Sequence, residues 1–323
     1  MQISRGIPLP TTPPFPVATI GNFDGQHIGH AALLKAVVDK ARACSGTPMV
    51  LTFDPHPVKV LRPDLPLQLL TTLDRKLAWF ESMGIAHVVL LDFTPTFAAL
   101  TPQEFIHAVL QKGLGVAAVV VGEHFVFGRG RSGRIDDLIR LGAQQGFSVH
   151  PLPPVILDGE VVSSTRIRRL IRAGAMREAS RCLGRPYSLE GIVMHGDRRG
   201  DMLGCHTANL RLAPDRVIPP DGVYAAKASW KGKLYDAVAY IGTRPTFQEQ
   251  ERLLEVHCLD QVGEMYGDCL EVYFLERLRG DQCFPSAQEL ARQIAVDIEQ
   301  ARQILAREHQ QVSEDTLHAH RSR

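Results

Sequence analysis

Two histidines three residues apart, His27 and His30, lie in the segment GNFDGQHIGH, Gly21–His30, directly after a short apolar run and at the opening of a helical pattern. Residues at that spacing share one face of a helix. Two imidazoles there can hold a nucleotide's phosphates and stabilise charge at a reacting phosphorus. Gly21, Gly25 and Gly29 permit a tight turn and close backbone approach. The unpaired N–H groups of a helix N-terminus favour an anion, most naturally a phosphate. The competing reading, two capping histidines on an ordinary helix, is disfavoured by the strand–turn–helix setting.

A second segment, SSTRIRRL (Ser163–Leu170), puts three N-cap residue types, Ser163, Ser164 and Thr165, ahead of Arg166, Arg168 and Arg169. Alone it reads as a capped, solvated helix. Beside the first segment it reads as a second phosphate cradle. FGRGRSG, Phe127–Gly133, has a formal G-x-G-x-x-G at Gly128, Gly130 and Gly133. It follows the fourth strand rather than the first, and no acidic residue stands about 20 positions on, so it is read as a mobile loop beside a nucleotide and not as a dinucleotide fingerprint. TFDPHP, Thr52–Pro57, ends the second strand, where ligands meet an open α/β sheet. Phe53 there suits either a stack on a flat ring or a place in the core. No Walker A sequence is present, which excludes a P-loop kinase.

Two kinds of element must position these residues. From Pro16 to Leu183, apolar strands at Val17–Gly21, Pro48–Phe53, Ala86–Phe93 and Val116–Gly122 alternate with helical patterns such as Ala31–Ala43 and Leu73–Met83. That grammar predicts a Rossmann-like α/β domain, a parallel sheet covered on both faces. Beyond Leu183 the short runs Tyr187–Met194, Gly222–Trp230, Leu234–Ile241, Leu253–Leu259 and Leu270–Leu275 predict a small antiparallel β-barrel. Ser286–Leu305 closes it as a helix with Leu290, Ile294, Ile298, Ala301 and Leu305 on one stripe, and with Ser286 and Glu289 placed for a capping box. The expected organisation is an N-terminal extension over 1–15, an α/β domain over 16–183, a barrel domain over 184–305 and a polar, frayed tail over 306–323.

The 323 residues carry a formal net charge of +1, so nothing global draws the chain to nucleic acid. Its six cysteines show no C-x-x-C or zinc spacing and read as scattered buried thiols in a reducing compartment. Prolines break MQISRGIPLPTTPPFP before a signal-peptide core can form. No apolar stretch approaches the roughly 20 residues that span a bilayer. The expectation is a soluble cytoplasmic protein with small-molecule partners, free of membrane and nucleic acid, and compatible with a homo-oligomer.

In order and spacing, GNFDGQHIGH, TFDPHP, VVVGEHFVFGRGRSG and SSTRIRRL resemble the bifunctional riboflavin kinase/FAD synthetases of bacteria. The C-terminal half extends the likeness through LGRPYSLEGIVMHGDRRGDMLG, HTANL, GVYA, IGTRPTF, LLEVHCLD and FLERLRGDQCF, so that it runs from Pro16 to Arg302. The resemblance implies an N-terminal nucleotidyltransferase that moves AMP from ATP to FMN. Gly21, Phe23, Asp24, His27 and His30 match its site, with Ser164, Thr165 and Arg168 on the phosphates and Phe53 and Phe125 near the flavin. It implies a C-terminal barrel of riboflavin-kinase type that phosphorylates the ribityl hydroxyl. There Thr207 and Asn209 match the Mg2+ and ATP motif, and Glu255 matches the general base. Mg2+, ATP, riboflavin, FMN and FAD are the implied cofactor, substrates and products.

The chain departs from the family's pattern in three places, the first of two residues. Cys205 and His206 stand where an aromatic residue and a proline precede T-A-N in the loop that sets Thr207. Tyr240 replaces a small or amide residue before IGTRPTF, and His124 replaces an Asp or Asn. Two alternatives keep the motifs: a monofunctional FAD synthetase with a weakened or inactive flavin-binding barrel, and a non-catalytic flavin-responsive regulator.

Overall fold

Short runs of β-branched and aliphatic residues build the first half of the protein. The computed structural model describes residues 1–194, 207–245, 250–260 and 263–321. The chain divides into two compact units, Met1–Ser164 and Thr165–Arg323.

The first unit holds a six-stranded, all-parallel sheet: β1 (Gln2–Arg5), β2 (Pro16–Ile20), β3 (Thr47–Phe53), β4 (His87–Leu91), β5 (Ala118–Gly122) and β6 (Ser148–Leu152), in the order β1-β4-β3-β2-β5-β6. Alternate side chains feed two cores. Val17, Val50, Val88 and Val120 pack with Leu34, Val37 and Phe80 on one face. Ala18, Met49, Val89 and Val119 pack with Ile106, Leu110 and Leu138 on the other. Burial on both faces is why these strands read as continuous apolar runs. The helices are α1 (Ile28–Ala43), the short α2 (Pro57–Leu61), α3 (Leu73–Ser82), the single turns α4 (Pro95–Ala98) and α5 (Pro102–Glu104), a π-helical stretch Phe105–Gly113, and α6 (Ile135–Gln144). A small hairpin, β7 (Ile156–Leu157) and β8 (Glu160–Val161), ends the unit. The N-terminal extension is thus partly strand. β1 pairs with β4 at the sheet's edge, and its sequence QISR carries no apolar signal because an edge strand need bury little.

Helix α7 (Ser164–Arg172) starts at the last residue of the first unit; the second unit continues with α8 (Met176–Leu183), and its body is a closed antiparallel barrel. Around the barrel run β10 (Thr207–Leu212), β13 (Gln250–Cys258), β12 (Lys233–Pro245), β11 (Gly222–Trp230), β14 (Cys269–Gly280) and β9 (Tyr187–Met194). The sequence places Thr207 in a loop, and the structure corrects this. Thr207–Leu212 is a strand whose Leu210 faces the barrel core, fully buried opposite Leu254. Thr207, Asn209 and Arg211 alternate with Ala208, Leu210 and Leu212, which is the two-residue period of a half-buried strand. α8 is tied to β14 by Arg177 on Glu276 at 2.8 Å. Cysteine burial also differs from expectation. Of the five described, only Cys182 is buried, while Cys44, Cys269 and Cys283 are exposed at a helix end, a strand start and a loop.

α9 (Ala287–Arg321) runs well past the expected end at Leu305, so the frayed tail gives way to helix. Residues 306–321 contain no glycine or proline to stop it. Ser286 accepts the Glu289 N–H at 3.2 Å as the expected cap. Ala301 and Leu305 pack with Ala225 and Leu275 of the barrel. Asp297 receives Arg279 through Nε at 3.0 Å and Nη2 at 2.9 Å, with side chains 4% and 16% exposed. Asp297→Ala would leave that guanidinium buried and unpaired. We expect it to destabilise the barrel unit by about 3–5 kcal/mol, read as a lower denaturant midpoint.

Candidate active sites

In the first unit the strand order reverses between β2 and β5, and ligands of open α/β sheets bind beyond the strand ends at such a point. The chain leaves β2 into a turn with Phe23 at φ 52°, Gly25 at φ 90° and Gln26 at φ 51°. Two non-glycine residues in the left-handed region are costly and persist only where their surroundings hold them. A Cβ on Gly25 would come within 2.7 Å of Leu70 Cδ1.

The stretch 70–76 does the holding. Asp24, 3% exposed, accepts from Leu70 N and Thr71 N at 3.0 Å and from Thr71 Oγ1 at 3.1 Å. Gly25 N donates to Thr71 Oγ1 at 3.1 Å, Gln26 Nε2 to the Arg75 carbonyl at 2.7 Å, and Lys76 Nζ to the Asn22 carbonyl at 3.2 Å. The Asp24 carboxylate is therefore engaged in shaping the turn. Thr71 and Lys76 join the site although no sequence motif flags them, and Gln26 joins it from within GNFDGQHIGH. Amphipathic spacing on α3 makes Lys76 look like a solvated lysine.

His27 is the N-cap of α1, and its Nδ1 accepts the His30 N–H at 3.2 Å. The capping reading and the ligand reading of this histidine are thus compatible. With Nδ1 accepting, a neutral His27 ring carries its proton on Nε2. The two rings stack, centroids 3.6 Å apart and planes 17° apart, and Phe23 backs His30 at 5.2 Å. Burial, aided by the nearby His27 and Lys76, holds the His30 imidazole well below its ordinary pKa. Its buried Nδ1 has no hydrogen-bond partner among the described residues. Gly21 and Gly29 carry the turn close to these rings, and a Cβ on either would lie 3.1–3.2 Å from Phe23 or His27. Ser164, the last residue of the first unit, donates through Oγ to the Asp24 carbonyl at 2.7 Å. Thr165 and Arg168 follow on α7, in the second unit.

Aromatic rings gather beyond the ends of β3, β4 and β5. Phe53 contacts Phe93 at 5.4 Å and Phe97 at 5.7 Å, and Phe125 stacks on Phe127 at 5.7 Å. Phe105 joins the two groups, 6.1 Å from Phe97 and 5.5 Å from Phe127. Phe53 is thus both a core neighbour and part of a half-buried aromatic wall that suits a flat ring. Phe93 and Phe97 were not legible as site residues. In FGRGRSG, Gly128, Gly130 and Arg131 are left-handed, and Phe127 bridges to Gly133. His124 is exposed, with Nε2 3.6 Å from Glu123.

On the barrel, register assembles the second site. Asn209 of β10 lies directly opposite Glu255 of β13, which lies directly opposite Tyr240 of β12. Directly opposed residues share a face. Thr207, two residues before Asn209, shares that face and lies opposite His257. Asn209 is 8% exposed, and its Oδ1 has no partner among the described residues. Tyr240 donates to Asp281 at 3.1 Å. Its ring overlies Gly242, where a Cβ would meet the phenol oxygen at 2.3 Å. Burial, with Asp281, Glu255 and Asp221 nearby, pushes the phenol up to about 12. Cys205 and His206 lie outside the described residues.

A parallel sheet with an H-x-G-H turn at its switch point, joined to a closed barrel with T-A-N opposite a glutamate, defines a nucleotidyltransferase coupled to a kinase-type barrel. Residues 10–166 match the FAD synthetase family and residues 183–305 the riboflavin kinase family. Bifunctional riboflavin kinase/FMN adenylyltransferases are similar over most of the chain. The protein from Escherichia coli K12 is 38% identical over 87% of this chain and 90% of its own. That from Pseudomonas fluorescens is 39% identical over 90% and 93%, and that from Bacillus subtilis 34% over 88% and 91%. The crystal structure of a macrolide-efflux protein from Streptococcus pneumoniae superposes with a TM-score of 0.86 at 32% identity, covering 94% of this chain and 99% of that one. The chain belongs to the bifunctional riboflavin kinase/FMN adenylyltransferase family. Among the described residues no helix is long and apolar enough to cross a membrane.

Proposed function

We infer that the chain makes FAD from riboflavin in two ATP-dependent steps, with residues 184–305 forming FMN and residues 16–183 adenylylating it. The observation that carries this is the presence of both centres in one chain: the stacked His27–His30 pair on its strained turn, and Asn209, Glu255 and Thr207 in one register. In adenylylation an FMN phosphate oxygen attacks the α-phosphorus of ATP, and the bond to pyrophosphate breaks. His27 and His30 donate to the phosphates and stabilise charge at the reacting phosphorus. Ser164, Thr165 and Arg168 hold the phosphates, Gly21, Gly25 and Gly29 allow close approach, and Phe23 and Asp24 set the turn. Phe53 and Phe125 line the flavin.

In the kinase step Glu255 takes the ribityl proton as that oxygen attacks the γ-phosphorus, and ADP leaves. The buried Asn209 Oδ1 and the Thr207 hydroxyl are hard oxygen donors of the kind Mg2+ uses alongside nucleotide phosphates. Bound there, Mg2+ would neutralise phosphate charge. A net charge of +1 and small soluble substrates support a cytoplasmic enzyme that binds neither membrane nor nucleic acid. The test is incubation with riboflavin and Mg-ATP, followed by chromatography. FMN and FAD together are expected. FAD formed only when FMN is supplied would remove the kinase half, and no product would remove both.

Tyr240 narrows the kinase site. Its ring stands beside Glu255, where the family pattern has a smaller residue, and Asp281 fixes it there. Overpacking of this kind costs about 1–3 kcal/mol. At the low end, Tyr240→Asn should raise kcat/KM for ATP in riboflavin phosphorylation about 5- to 10-fold. Steady-state kinetics would read this, with adenylylation unchanged.

A further inference from the structure

The stretch 70–76 makes several contacts to the turn carrying His27 and His30, and one of them comes from a buried ammonium. Asp24, Gly25 and Gln26 are held by backbone groups and a threonine hydroxyl. Asn22 is held by the ammonium of Lys76 at 3.2 Å. Lys76 is 8% exposed, the one buried lysine among the described residues. A neutral donor would satisfy a single carbonyl, and burying an ammonium is costly unless it is compensated. Burial lowers the Lys76 pKa from its ordinary value, and the negative charge of Asp24 and Asp54 offsets part of that by favouring the ammonium. The same group acts on His30, whose protonation it opposes. Lys76 thus lies within electrostatic reach of both the turn's anchor and the imidazole pair. In a poorly solvated interior such a charge acts over several ångströms, and the expected ligand brings a triphosphate.

On the reading of the first unit as the adenylylation site, we propose that Lys76 is a charged positioning residue of that reaction. Its ammonium pins the Asn22 carbonyl, keeps Phe23 and Gln26 in their left-handed form, and adds resident positive charge beside the imidazoles that receive the phosphates. It acts through the turn and its field, without touching substrate.

The experiment uses the full chain and measures kcat and KM for ATP in FAD formation from FMN. The variants are K76R, K76Q and K76M, with His30→Ala as a control. Arginine keeps the charge, whereas glutamine keeps an N–H donor for the Asn22 carbonyl and drops the charge. K76Q and K76M should lower kcat/KM for ATP by about 10- to 100-fold, with K76R close to wild type and riboflavin phosphorylation unchanged in all. K76Q at the wild-type rate, or K76R as impaired as K76M, would overturn the proposal even if K76M folds poorly. His30→Ala impaired beside an intact K76Q would sink the Lys76 role alone. His30→Ala at the wild-type rate would sink the underlying site reading and the Lys76 role with it.

Discussion

Glu255→Gln should lower riboflavin phosphorylation by about 100-fold or more while leaving FMN adenylylation at its wild-type rate. The substitution is nearly isosteric, so the cross-strand neighbours Asn209 and Tyr240 keep their register. What is lost is a carboxylate able to accept the ribityl proton. General-base catalysis contributes about 10²–10⁴-fold. Phosphoryl transfer passes through a loose transition state, in which positioning and charge neutralisation carry much of the rate, so the lower part of that range applies. Product chromatography from riboflavin and from FMN, run on the same preparation, separates the two activities. A loss under tenfold would reassign the base.

His30→Ala should have the converse effect, with FAD formation from FMN falling about 10²–10³-fold, as when one preorganised donor to a transition state is removed, and riboflavin phosphorylation unchanged. The choice of His30 over His27 matters. His27 also caps α1 through its Nδ1, so its loss mixes a stability effect of about 1 kcal/mol with the catalytic one. His30 makes no capping bond through its ring, and burial holds that ring well below its ordinary pKa. A fall confined to KM for ATP, with kcat intact, would count against transition-state stabilisation. It would instead make the ring a binding contact.

The legible parts of the fold are those where pattern and environment agree. β2 to β5 are buried on both faces and read as apolar runs, and β9 and β11 match their expected limits residue for residue. GNFDGQHIGH was legible because turn and helix start are local events. β1 was not, since QISR sits at an edge, and β10 was passed over although TANLRL alternates polar and apolar at every step. Lys76 and Thr71 escaped for a different reason. They reach the turn across a separation of about 50 residues, which only the folded sheet closes. The aromatic wall was half legible. Phe53 and Phe125 lie in recognisable motifs, but Phe93 and Phe97 look like ordinary core residues until the strand ends are brought side by side.

The register of β10, β13 and β12 has a genetic consequence. Asn209, Glu255 and Tyr240 meet because each stands at the same phase of a two-residue repeat on adjacent strands. Deleting one codon within any of these strands would swing every later side chain to the opposite face, sending the site residue toward the core and a core residue such as Leu254 or Ile241 outward. A strand can absorb one inserted residue only as a bulge, and β14 already carries two extra residues, Leu275 and Leu278, against β11 on the far side of the barrel. Length variation among descendants of this gene should therefore collect in the connections between strands, while β10, β12 and β13 change by substitution alone.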